Sequence, residues 1–138
     1  MTTKQYLTQA LVLNRKINTK LAELDNLKAV KDNVKSISSG EKVQSSHENN
    51  SNKNIDKIID LEREINADID KLIDFKKNIK ATINTLENDK YKLVLINRYV
   101  NCLSFEKCAI VLNYSTQHTF RLHNQAIKFL KKSINVIE

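Results

Sequence analysis

An all-α protein is the fold class this sequence predicts, and three observations predict it. The chain has no proline and a single glycine, Gly40. Helix interiors need neither residue, whereas tight hairpins and phosphate-binding loops generally need glycine. Apolar residues recur three and four apart over long stretches instead of alternating. Hydrophobic residues at 41% and charged residues at 28% suit amphipathic helices. The expected architecture is a long antiparallel helical hairpin of coiled-coil character over residues 1–87, followed by a compact helical unit over 88–138.

The first helix is expected over residues 4–34. There Leu7, Ala10, Leu13 (or Asn14), Ile17, Leu21, Leu24 and Leu27 keep the helical spacing. The second spans 55–86, where Ile58, Ile65, Leu72, Ile79 and Leu86 stand seven apart. Leu61 and Phe75 fill the intermediate step, and Asp68 and Thr82 interrupt it. Ile55, Ile69 and Ile83 widen the stripe on one flank. A sustained seven-residue repeat signals a coiled-coil seam, and a stripe this wide suits more than one partner helix. A homodimer through the hairpin is therefore expected. Residues 36–54, rich in Ser and Asn, read as a flexible loop. Each helix would be about 32 residues, or ~48 Å, long. Equal lengths joined by a polar connection favour the antiparallel arrangement.

A polar break at 87–90 precedes the C-terminal unit. Tyr91–Val100 reads as one helix. Ser104 is a suitable N-cap for a second over 105–112. Asn113 and Tyr114 make the turn, Asn being able to take the left-handed conformation. Ser115 caps a third helix running to about residue 136. From Lys90 onward eight basic residues face only two acids, Glu106 and Glu138. That end thus carries six of the chain's seven net positive charges. Such a concentration is the electrostatic footprint of a duplex binder.

Residues Leu95, Arg98, Tyr99, Leu103, Ser104, Glu106, Ala109, Leu112, Ser115, Arg121, Leu122, Ala126 and Leu130 carry a resemblance. The block from Leu95 to Leu130 resembles region 4 of bacterial sigma factors, a helix-turn-helix that reads the −35 promoter element. With the helical N-terminal half and the FRLHNQAI ending, the chain resembles a small phage- and prophage-encoded family, related in outline to ArpU/RinA-type late transcriptional regulators. The resemblance implies a DNA-binding transcriptional regulator of phage genes that contacts double-stranded DNA and RNA polymerase. It places base reading on Thr116, Gln117 and Arg121, with His118 and Asn124 flanking. Gln117 suits adenine and Arg121 guanine, while Ser104, Lys107, Ser115 and Lys128 suit phosphates. Thr116 and Phe120 depart from the more charged recognition helix of primary sigma factors, so their sequence preference does not transfer. Nothing resembles the sigma region that melts the −10 element. The alternative is a DNA-packaging recognition subunit of small-terminase type, although there the DNA-binding unit commonly comes first.

Other features read plainly. His118 and His123 stand five apart with no third ligand, so no metal or other cofactor is expected. His123 is expected to be partly buried and His118 exposed. Cys108 reads as a core hydrophobe, and Cys102 with Cys108 fits a reducing compartment. Asp60, Glu62, Glu64, Asp68, Asp70 and Asp74 are interspersed with Lys57, Arg63, Lys71, Lys76 and Lys77 and read as a solvated face. Ile110 and Val111 read either as an exposed contact surface or as local packing under the last helix. No nucleophile–base constellation, phosphate loop or buried carboxylate pair appears, so an enzyme is not expected. No apolar run reaches the roughly 20 residues needed to cross a bilayer, and the N-terminus does not read as a signal peptide. A cytoplasmic location without membrane contact is expected.

Overall fold

The computed structural model describes residues 1–38 and 44–137, with side chains over 1–30 and 54–134. The described residues are all-helical, without a strand. Five helices follow one another: α1 (Thr3–Ser38), α2 (Gln44–Ile83), α3 (Asp89–Leu95), α4 (Phe105–Leu112) and α5 (Thr116–Ile137). Contacts divide the chain into two compact units. One is Arg15–Asp70; the other joins Met1–Asn14 to Lys71–Glu138.

Within Arg15–Asp70, α1 and α2 are joined by ion pairs that fix their direction. Lys20 Nζ lies 2.7 Å from Asp68 and 3.5 Å from Glu64, and Lys28 Nζ lies 3.6 Å from Glu62. Higher positions on α1 meet lower positions on α2, so the two segments are antiparallel. Beneath these pairs, Leu24, Ile58, Leu61 and Ile65 form a buried cluster, with Leu27 packed against it. Asp68, which breaks the apolar repeat, is the acceptor of the Lys20 hydrogen bond and is largely shielded. It therefore does not belong to the solvated acidic face. That hydrogen bond, helped by the charges of Asp68 and Glu64 against partial desolvation, raises the Lys20 pKa.

The stretch expected as a loop over 36–54 differs. Helix α1 continues to Ser38 and α2 begins at Gln44; residues 39–43 lie outside the described residues. Ser and Asn disfavour a helix by only about 0.5 kcal/mol each relative to Ala. Extending an existing helix adds a hydrogen bond for every residue fixed, so a polar composition alone does not stop it.

The second unit buries Leu7, Ala10, Leu11 and Leu13 of α1 and Leu72, Ile79 and Ile83 of α2, with Leu86 just beyond it. A cleft of about 310 Å³ lined by Met1, Thr2, Thr3, Tyr6, Thr82 and Ile134 brings the start of α1 and the ends of α2 and α5 together. Helix α5 packs on both α3 and α4. Asn88 caps α3, its Oδ1 accepting from the Lys90 and Tyr91 amides at 2.9 and 3.4 Å. The helix expected over Tyr91–Val100 therefore starts two residues earlier. It also does not stay α-helical. Ile96–Val100 forms a π turn, closed by the Asn101 amide on the Ile96 carbonyl at 2.9 Å. The wider turn accompanies an apolar and polar burial of consecutive odd positions, with Leu95, Asn97 and Tyr99 all buried.

Among the described residues two non-glycine residues take positive φ, Cys102 at 57° and Asn113 at 64°. Asn113 ends α4 as the sequence predicts, in the left-handed region, and its amide reaches back to the carbonyl of Ile110. Left-handed backbone costs an ordinary residue about 1–2 kcal/mol, and Asn less. Replacing Asn113 by Ala should lower stability by about 1 kcal/mol, whereas Asn113→Gly should leave it within about 0.5 kcal/mol of wild type. Chemical denaturation of the three proteins checks this; equal loss in both variants would refute the backbone explanation.

Candidate nucleic-acid interface

The α4–turn–α5 segment is built by its caps. Ser104 Oγ accepts from the Lys107 amide at 3.2 Å, and Ser115 Oγ accepts from the His118 amide at 3.1 Å. The Ser115 carbonyl also receives the Thr119 hydroxyl at 2.9 Å, which tightens the first turn of α5. The Tyr114 amide returns to the Ala109 carbonyl at 2.9 Å, so the turn closes on α4 itself.

Helix α5 is two-faced. Thr119, Leu122, His123, Ala126 and Leu130 are buried. Thr116, Gln117, His118, Arg121, Asn124 and Lys128 are exposed, as are Ser104, Lys107 and Ser115. All nine residues singled out from the sequence thus reach solvent. Gln117, Arg121, Asn124 and Lys128 are spaced four, three and four apart, which aligns them in one stripe about 16 Å long. Besides the capping serines Ser104 and Ser115, two of the nine have local duties. His118 packs edge-on against Tyr114, with ring centroids 4.9 Å apart. Asn124 Oδ1 lies 3.2 Å from His123 Nδ1.

Behind the stripe sits a buried polar group that composition only half revealed. His123 is 2% exposed, not partly buried, and its Nε2 lies 2.6 Å from the hydroxyl of Tyr99, also 2% exposed. With Tyr99 donating to Nε2 and Nδ1–H donating to Asn124, a neutral imidazole satisfies both contacts. Desolvation lowers the His123 pKa, opposed by the Asn124 hydrogen bond and reinforced by the charges of Lys4 and Arg98. Desolvation likewise raises the Tyr99 pKa, with Arg98 opposing it. Phe105 stands edge-on to His123 at 4.9 Å and stacks on Phe120 at 4.5 Å. The departure at Phe120 is thereby half covered.

Arg98 is the basic residue that the charge count misassigns. Its Nη1 donates to the Leu103 carbonyl at 2.8 Å, and its guanidinium lies 4.5 Å from the Phe105 ring centre. It locks the 101–104 connection from inside instead of adding to the exposed basic face. The same connection is held by Asn97, whose carbonyl accepts the Leu103 amide at 3.1 Å. Nothing in spacing alone separates such an inward arginine from an outward one. Cys108 is fully buried, and desolvation raises its pKa, as a core thiol requires. Ile110 and Val111 are 78% and 61% exposed, which excludes local packing under α5. Among the described residues no three metal-ligating side chains converge, and no helix is long and apolar enough to cross a membrane.

A family described as a protein of unknown function, DUF1492, matches residues 34–131. The chain belongs to this family. The DUF1492 match takes in α2 and the whole α3–α4 segment and runs through α5 to Lys131, so the exposed stripe and the buried histidine both lie inside it. No curated protein and no solved structure matches the chain.

Native His123 titrates below its ordinary value of 6.5, so on acidification the unfolded chain takes up the proton first. Its contribution to stability is complete above pH 6.5 and is lost as pH falls from there through the native value, with a limiting slope of about 1.4 kcal/mol per pH unit. Thermal melts between about pH 7.5 and pH 5.5 should show this loss in wild type. It should be absent from His123→Gln, which is less stable but cannot titrate. Parallel pH dependence in the two proteins would refute it.

Proposed function

We propose that the chain is a phage-type DNA-binding transcriptional regulator. In this reading α4 and α5 form a helix-turn-helix like that of sigma region 4, and the antiparallel hairpin of α1 and α2 makes it a homodimer that engages RNA polymerase. The observation that carries the reading is the exposed stripe Gln117, Arg121, Asn124 and Lys128 on a helix whose opposite face is buried. A recognition helix needs that division, with side chains free to reach base edges and a rigid back. The two capped N-termini add backbone amides and hydroxyls suited to phosphates. The basic excess from Lys90 onward supplies the long-range attraction, reduced by the inward Arg98.

Within the stripe the roles differ. Arg121 lies in the second turn of α5 and can make a bidentate contact to guanine, worth roughly 1–3 kcal/mol of discrimination. Lys128 lies two turns further along and meets only phosphate. Ile110 and Val111, solvent-exposed on α4, suit a protein contact such as polymerase.

Duplex binding by the full chain should weaken steeply with salt, as counterion release demands. Arg121→Ala should relax sequence choice, and Lys128→Ala should weaken every site alike while reducing the salt slope by about one unit. Selection of bound sequences from a random pool, followed by titration at several salt concentrations, separates the two. Unchanged sequence preference in Arg121→Ala would pass the reading role to Gln117 or Thr116. Absence of any duplex binding at low salt would overturn the proposed function.

A further inference from the structure

The cluster of isoleucines on the flank of α2 is not used by the buried core. Ile59 is 42% exposed, Ile69 36% and Ile73 57%, and Ile55 is only half-buried. With Glu62 and Asn66 they follow the order 55, 59, 62, 66, 69, 73, spaced four and three in alternation. That is the spacing of a coiled-coil seam, and it runs beside the first seam through Ile58, Ile65 and Leu72. The six positions extend about 27 Å along the helix.

The order is symmetric about position 64. Turned end for end, the segment sets Ile55 against Ile73, Ile59 against Ile69, and Glu62 against Asn66. Every isoleucine then meets an isoleucine, and the amide of Asn66 meets a carboxylate that can accept its hydrogen bond. A parallel pairing would instead set Glu62 against Glu62, an unfavourable meeting of like charges. The residue identities share the symmetry of the spacing, four isoleucines outside and two polar residues inside, and a twofold interface requires such a surface complementary to itself. On its own chain Glu62 already faces Lys28 at 3.6 Å. This lowers the cost of covering its charge. Leu21, seven residues before Lys28 and 40% exposed, lies on the same side of α1 and widens the apolar border.

We propose that the chain pairs with a second copy through this flank of α2, antiparallel, about a twofold axis beside residue 64. The proposal rests on the homodimer part of the function proposed above and is independent of DNA binding. It names the face, direction and register of the dimer.

Cross-linking of the full chain tests it. In a Cys102→Asn, Cys108→Ala background that keeps wild-type helicity and sedimentation, Glu62→Cys and Asn66→Cys are made separately. Mixed and oxidised, the two should give a disulfide-linked dimer at least about tenfold faster than either alone. Faster linking within each single variant would mean a parallel seam and would overturn the proposal. A second arm uses charge. Asn66→Lys should tighten self-association, by placing an ammonium opposite the partner's carboxylate, and Asn66→Asp should weaken it by about tenfold or more. A wild-type chain that sediments as a monomer at tens of micromolar would overturn both this seam and the proposed homodimer. A dimer indifferent to both Asn66 variants and giving no mixed disulfide would overturn the seam alone. In each case duplex binding by the unmodified chain reports separately on the DNA-binding reading.

Discussion

The hydrogen bond between Tyr99 and His123 is the contact on which the C-terminal unit depends. It is short, at 2.6 Å, and both side chains are almost completely removed from water. Neither could be buried there without a partner, since an unpaired buried polar group costs about 1–3 kcal/mol. The bond ties the π turn after α3 to the middle of α5. Tyr99 lies within that π turn, between the Asn97 carbonyl and Arg98 side chain that hold Leu103 of the 101–104 connection and the His123 it bonds. The bond requires α5 to keep one rotation about its axis. With His123 fixed inward, Arg121 and Asn124 are fixed outward.

The helical pattern of the C-terminal unit was legible in the sequence because short-range chemistry decides it. Ser104, Ser115 and Asn113 act where their side chains predict, since caps and a left-handed turn depend on neighbours only a few residues away. Thr119, Leu122 and Ala126, spaced three and four, share the buried face for the same local reason. What could not be read depended on distant partners. Arg98 turns inward because Phe105 and the Leu103 carbonyl await it. His123 is fully buried because Tyr99, 24 residues away, supplies its bond. Cys102 takes a positive φ that no composition rule assigns to cysteine.

The α1–α2 pairing shows a related limit. An interruption of the apolar repeat at Asp68 reads as a weakness in the sequence, yet in the fold it accepts a 2.7 Å bond from Lys20 across to α1. A pair of this kind is a better statement of register than of strength, because partly solvated ion pairs contribute little net free energy. Slipping α2 by one turn would part Lys28 from Glu62 and Lys20 from one of its two acids, Glu64 or Asp68. The buried cluster opposes the same slip, since Glu62 stands four residues after Ile58 and Lys57 four before Leu61. Alignment therefore resides in the charged and the buried residues together, and cohesion in the buried ones.

Asn124 bridges the interior and the surface, and this limits what its amide can say to a ligand. Its Oδ1 is turned toward the Nδ1 proton of His123, so the amide nitrogen is the end left facing outward. A freely rotating asparagine can offer an acceptor and a donor side by side, the pairing that suits adenine. One anchored in this way has its oxygen already engaged by the histidine and its two N–H donors free, which suits acceptors such as a guanine or thymine carbonyl or a phosphate oxygen. The vocabulary of that position is thus set by the tautomer of a histidine that never touches the surface.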